Sequence, residues 1–250
     1  MAIDGMIPFC NIYSSFAQRA YDNIIHDIAI SGLHVVFCLD RAGLVGEDGP
    51  THHGVFDLSY LRHMPNMTIF APKDENELRQ MLGKAAAMDS PASIRYPRGA
   101  GLGVEVQAEF EDIPLGKAEV LAAEGEIALL AVGSMNSVAA GAAKLLREKG
   151  IATALVNMRF VKPLDKELLL DFGRSKKLLV TLEENVLAGG FGSAVAEFLL
   201  DHGLPAGLLR FGLPDAFVEQ GSRQELLAMT GLEPKSVAER ICARLQRIDK

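Results

Sequence analysis

Apolar runs and amphipathic stretches alternate along this chain. Residues 7–13 read as a strand. Residues 15–30 read as one amphipathic helix, with Phe16, Ala20, Ile24 and Ile28 on its apolar face and Gly32 as its stop. Residues 35–39 are apolar without a break and end at Asp40, the pattern of a parallel strand covered on both faces. Residues 67–71 form a further short strand. Pro72 and Asp74 open a helix that runs to about residue 88, and residues 92–96 make another strand.

Between Gly99 and Gly116 the period breaks. Glycines, prolines and acids dominate, which predicts a linker centred on residues 101–114. A second alternating block follows. Strands are expected at 127–132, 152–157, 177–182 and 207–211, and helices at 138–149, 165–172, 189–201, 222–229 and 234–246. Two such blocks predict two α/β domains with mostly parallel sheets, over 1–100 and 115–250. Ligands of open parallel sheets sit beyond the carboxyl ends of the strands. Four segments therefore matter most: 13–19, 40–54, 96–99 and 183–192.

Composition narrows the function classes. The 250 residues are 49% hydrophobic and 23% charged, which is ordinary globular material. The net charge of −7 disfavours a general nucleic-acid binder. No apolar stretch approaches the roughly 18 residues of a membrane helix, and no secretory signal is visible, so a cytoplasmic protein is expected. Cys10, Cys38 and Cys242 make neither a CxxC pair nor a zinc spacing. They are expected to be small buried hydrophobes. No metal constellation appears among the histidines.

The loop from Asp40 to Gly54 concentrates Arg41, Glu47, Asp48, His52 and His53 among four glycines. Histidine exchanges protons near neutral pH, and glycine lets backbone approach a ligand closely. Tyr13, Phe16 and Arg19 recur every three residues, a spacing that could present two rings and a guanidinium to a flat heterocycle. Arg95 and Arg98 leave a strand together, and an arginine fork suits phosphate. Gly189-Gly190-Phe191-Gly192 opens a helix without matching any phosphate-binding fingerprint, so a structural turn is expected. Glu183 and Glu184 just before it read as solvated acids at a strand end.

These segments together carry a resemblance. Ile12-Tyr13-Ser14-Ser15-Phe16-Ala17-Gln18-Arg19-Ala20-Tyr21-Asp22, the run from Asp40-Arg41-Ala42-Gly43 to Gly49-Pro50-Thr51-His52, and Arg95-Tyr96-Pro97-Arg98-Gly99 are similar to the 1-deoxy-D-xylulose-5-phosphate synthases, transketolase-like enzymes. Met158-Arg159-Phe160-Val161-Lys162-Pro163, Glu183-Glu184-Asn185 and Gly212-Leu213-Pro214-Asp215 continue it to the end of the chain. The resemblance implies a pyrimidine-binding domain over 1–100, N-terminally truncated, and a transketolase C-terminal domain over 115–250. It implies thiamine diphosphate and magnesium as cofactors, with the magnesium ligands and a catalytic glutamate outside this sequence. It implies decarboxylation of pyruvate and joining of the two remaining carbons to glyceraldehyde 3-phosphate, a step feeding isoprenoid, thiamine and pyridoxal synthesis. Residue by residue, Tyr13, Phe16 and Arg19 would line the cofactor's aminopyrimidine. His52 and Asp48 would be catalytic, and Arg41 and Arg98 would hold the substrate phosphate. A homodimer is implied, with a separate chain as one source of the diphosphate-binding domain, and no nucleic acid or membrane partner. By itself the chain is expected to be inactive. Two other readings share the pattern: a β-type subunit of a 2-oxo acid dehydrogenase, and a non-catalytic module that dimerises or regulates.

Overall fold

The apolar runs become the central strands of two five-stranded sheets in a computed structural model that describes residues 1–248. The first half holds β1 (Phe9–Tyr13), α1 (Ser14–Ala17), α2 (Tyr21–Asn23), β2 (Val36–Asp40), α3 (Asp57–Leu61), β3 (Thr68–Phe70), α4 (Glu75–Ala86) and β4 (Ala92–Arg95). The second half holds β5 (Glu119–Ala122), β6 (Ile127–Ala131), α5 (Met135–Glu148), β7 (Thr153–Asn157), β8 (Phe160–Lys162), α6 (Lys166–Ser175), β9 (Leu178–Val186), α7 (Phe191–Asp201), β10 (Gly207–Leu213), α8 (Arg223–Met229) and α9 (Pro234–Ile248). No helix among the described residues is long and apolar enough to cross a membrane.

The sheets run β1-β2-β4-β3-β8 and β10-β9-β6-β7-β5. Each is parallel except at one end, where β8 lies antiparallel to β3 and β5 antiparallel to β7. The mostly parallel α/β architecture expected from the pattern is the one observed. The two edge strands were not expected, because three or four residues including Glu119 or Lys162 make no apolar run. β8 belongs by sequence to the second half, yet it completes the first sheet. Phe160 is fully buried there, its ring centroid 4.9 Å from that of Phe70.

The expected single helix over 15–30 is broken. Ala20 leaves the helical region (φ −93, ψ 8), so α1, a 3-10 turn over Gln18–Ala20, α2 and a π-helical stretch over Ile24–Ala29 follow one another. The stretch read as a linker, residues 101–114, carries no helix or strand. They are nonetheless bound to α4. The Glu75 carboxylate accepts the N–H groups of Leu102, Gly103 and Val104, and Phe110 covers Gly83 beneath the Arg79 guanidinium.

One hydrophobic cluster crosses between the halves. Leu39, Leu58 and Ile69 pack in the same core as Leu130, Leu179 and Phe191. Polar groups cross as well. Buried Glu77 on α4 accepts from Asn157 Nδ2 (2.8 Å) and Arg159 Nε (2.7 Å) at the end of β7. The cysteines are all free, but only Cys38 is buried. Cys10 is exposed because β1 is a sheet edge, which corrects the expectation of three buried thiols.

Candidate functional site

Three strand ends and one long loop meet beside the β1 edge. β1 ends at Tyr13, β2 at Asp40 and β4 at Arg95, since parallel strands deliver their exits to one rim. The loop from Arg41 to Gly54 folds back on itself. Gly43 N–H donates to Gly54 O (2.7 Å) and Gly54 N–H to Gly43 O (2.9 Å). Gly54 is required here, because a Cβ would stand 2.4 Å from Arg41 O and 2.6 Å from the Ser14 side chain.

Arg41 begins the loop in the left-handed region (φ 57), a conformation costing a non-glycine residue on the order of 1 kcal/mol. That turn lays its guanidinium over the Tyr13 ring, 4.2 Å from the centroid, while Nη1 donates to Asp48 Oδ2 (2.8 Å). Tyr13 stacks on Phe16 at 5.3 Å, and Phe16 meets the His52 ring edge-on at 5.3 Å. Arg98 Nη1 donates to Val45 O (2.7 Å) and lies 3.4 Å from Asp48 Oδ2. Six of the seven residues singled out in the sequence thus touch in series: His52, Phe16, Tyr13, Arg41, Asp48 and Arg98. Arg19 does not join them. It is exposed on the 3-10 turn, where the helical period that would have aligned it with Phe16 is lost.

Neighbours in sequence separate in role. His53 is buried, and Val45 N–H donates to its Nδ1 (3.1 Å), which leaves the proton on Nε2 facing Glu219 O (3.3 Å). His53 therefore holds the loop, and His52 faces the aromatic pair. Arg95 is buried and paired with Asp57 through Nε (2.7 Å), whereas Arg98 stays 40% exposed. The two arginines that leave β4 together thus part: β4 buries Arg95 and releases Arg98.

Glu183 and Glu184 are not solvated acids. Both are fully buried on β9. The Glu183 carboxylate accepts Phe191 N–H (2.7 Å) and Gly192 N–H (2.8 Å) at the start of α7. The Gly-rich turn is thus a cradle already filled by the protein's own anion, which agrees with its structural reading. Burial pushes the Glu183 carboxyl up to about 7, against the lowering by those N–H groups and by Arg95 and Arg210. Glu184 fills all of its acceptor positions. It takes Leu44 N–H (2.8 Å), Ser134 Oγ (2.7 Å), Arg223 Nε (3.2 Å) and Arg223 Nη2 (2.5 Å). Arg223 and Ser134 carried no signal in the sequence, because neither lies in a segment after a strand that looked chemically dense.

A cavity of about 280 Å³ opens beside Arg98, walled by Tyr96, Lys73, Ser134 and Arg223. The stacked pair of Tyr13 and half-exposed Phe16 offers a platform that fits a flat heterocycle. Among the described residues no three His, Cys, Asp or Glu side chains come together as a metal site.

Comparison with known proteins identifies the two halves of the chain. The profile for the transketolase pyrimidine binding domain matches residues 1–102, and that for the transketolase C-terminal domain matches residues 116–237. 1-Deoxy-D-xylulose-5-phosphate synthase 1 of Geobacter sulfurreducens is 52% identical over 95% of this chain and 38% of its own length. The Bacteroides fragilis 1-deoxy-D-xylulose-5-phosphate synthase is 49% identical over 100% of this chain and 39% of its own length. The chain therefore spans about two-fifths of the curated relatives it matches. A solved split-gene transketolase, described as an inactive β4 tetramer, superimposes with TM-score 0.85 and 33% identity, covering 98% of this chain and 78% of that one. A Pichia stipitis transketolase shares the fold at TM-score 0.73 and 22% identity, covering 94% of this chain and 33% of that one.

Proposed function

We propose that this chain, which belongs to the transketolase family, supplies the substrate side of a thiamine-diphosphate-dependent 1-deoxy-D-xylulose-5-phosphate synthase reaction in isoprenoid precursor synthesis. The substrates are pyruvate, which loses carbon dioxide, and glyceraldehyde 3-phosphate. The observation that carries the reading is the contact series from His52 through Phe16, Tyr13, Arg41 and Asp48 to Arg98, with an aromatic platform at one end and exposed guanidinium at the other.

When bound, thiamine diphosphate supplies the nucleophilic carbon and electron sink that such chemistry needs. The chain's residues act on the substrate side. Tyr13 and Phe16 stack against the aminopyrimidine. Arg98 and Arg41 bind the phosphate of the aldehyde, because a guanidinium donates two parallel hydrogen bonds to it. Asp48 holds both arginines in place. His52, beside the platform and hydrogen-bonded to Thr51 Oγ1 (2.9 Å), moves a proton at the substrate oxygen.

The chain's span of about two-fifths of its curated relatives fits a division of labour. The diphosphate and its metal are held by a second chain or domain, and this chain turns nothing over by itself. The split-gene relative, inactive as a tetramer of one chain type, is consistent with that. The working assembly is a homodimer of the combined parts, acting in the cytoplasm. Release of carbon dioxide from pyruvate, dependent on glyceraldehyde 3-phosphate, tests the reading. It is measured with thiamine diphosphate and magnesium, for this chain alone and for its mixture with the N-terminal half of a family synthase. Activity in the mixture alone is expected. Silence in both leaves a non-catalytic module and overturns the proposal.

A further inference from the structure

We propose that Arg223 is a specificity-determining residue that binds the phosphate of the aldehyde substrate together with Arg98, and that buried Glu184 is its positioning residue. The inference rests on the substrate class proposed above and adds a cation from the other half of the chain.

Three loops converge at Gly46. A Cβ placed there would lie 3.9 Å from Arg98 Nη1, 3.8 Å from Arg223 N and 3.3 Å from Gly221 O. Arg98 arrives from β4 and Arg223 from the first turn of α8, and both line the same cavity of about 280 Å³. That volume falls just under the roughly 300–1,000 Å³ of small-molecule pockets.

Each guanidinium still has donors to give. Arg98 spends Nη1 on Val45 O, Glu47 and Asp48. Its Nε and Nη2 make no hydrogen bond among the described residues. Arg223 spends Nε and Nη2 on Glu184, and its Nη1 is likewise free among the described residues. Five donors per guanidinium make this sharing possible. The other charges on the cavity wall are committed. Asp74 accepts Glu77 N–H at the start of α4, Glu75 accepts three backbone N–H groups of the linker, and Lys73 Nζ donates to Glu119 (2.6 Å). Lys73 Nζ is also neutralised by Asp74 and Glu77 at 3.9 and 3.7 Å, so the two guanidiniums, with the Tyr96 hydroxyl beside them, are the groups left to face a dianion.

Glu184 explains why Arg223 is held rather than solvated. It is 1% exposed, and through Leu44 N–H and Ser134 Oγ it ties the site loop and the start of α5 to the same carboxylate. A buried carboxylate with a fixed set of partners sets the guanidinium's angle.

The test titrates glycerol 3-phosphate, which cannot react, into the full chain by calorimetry. Glycerol and inorganic phosphate serve as the separate arms. Arg223→Ala is expected to weaken glycerol 3-phosphate about tenfold, the scale of one charged hydrogen-bond set, and Arg223→Lys to recover part of the loss. Glycerol should not bind, and inorganic phosphate should compete. In the active mixture, Glu184→Gln and Arg223→Ala should raise KM for glyceraldehyde 3-phosphate and leave KM for pyruvate unchanged. Wild-type affinity in Arg223→Ala, or no binding of glycerol 3-phosphate by the unmodified chain, overturns the inference. Binding that follows Arg223 in a chain whose mixture releases no carbon dioxide would instead overturn the reaction and leave the phosphate clamp standing.

Discussion

Arg98 and Glu183 show how far a residue's environment decides its chemistry. Arg98 is held on one nitrogen and open on the others. Replacing it by alanine in the active mixture should raise the glyceraldehyde 3-phosphate requirement by about tenfold or more, since a charged hydrogen bond contributes about 1.5–3 kcal/mol. The pyruvate requirement should stay put, and steady-state kinetics with each substrate varied checks it; equal changes would remove Arg98 from phosphate binding. Glu183 is the opposite case, a carboxyl sealed into the core. Its folded value of about 7 lies above the ordinary 4.5, so folding takes up a proton between those limits. The stability it contributes is complete below about pH 4.5 and is lost as pH rises through about 7, a difference of about 3 kcal/mol. Carbon-13 NMR of the Glu183 side chain should show a midpoint near 7, and an ordinary carboxylate midpoint would refute the assignment. The sequence displayed both residues. It misread Glu183 and Glu184 as solvated because acids at a strand end usually are, and nothing local announces that α7 and α8 close over them.

At the scale of elements, the strands that could be read were those with unbroken apolar runs, such as β2 and β6, whose residues are covered on both faces. Helix starts were legible where a cap was present: Asp74 accepts Glu77 N–H, Asp165 accepts Leu168 N–H, and Ser222 and Glu225 form a capping box. β5 and β8 were not legible, because an edge strand of three or four residues has too few positions to show a period. β8 still matters energetically. Phe160→Ala should destabilise the chain by about 3–5 kcal/mol in urea unfolding, since it removes a fully buried ring packed on Phe70. A loss below 1 kcal/mol would mean that β8 only decorates the first sheet.

For the molecule as a whole, two alternating blocks suggest two bodies, and the structure joins them. β8 crosses to the first sheet, one apolar cluster spans both halves, and Glu77, Asn157 and Arg159 form a buried polar knot between them. Calorimetry should therefore show one unfolding transition. Glu77→Ala should lower its midpoint by an amount corresponding to about 3 kcal/mol or more, because Asn157 and Arg159 lose a buried partner. Two separable transitions would contradict the shared core. By itself the sequence determined the α/β class, the order of the main strands and helices, the family resemblance and six residues that meet at the site. Those depend on local periodicity, capping and short motifs, all of which are written in neighbouring residues. Tertiary structure alone decided that Arg19 stands apart, that Arg95 is buried while Arg98 is open, and that Glu184 and Arg223 reach the site loop from the far half of the chain. Such pairings join residues 39 to 140 positions apart. Their strength comes from burial and convergence, which no local pattern encodes.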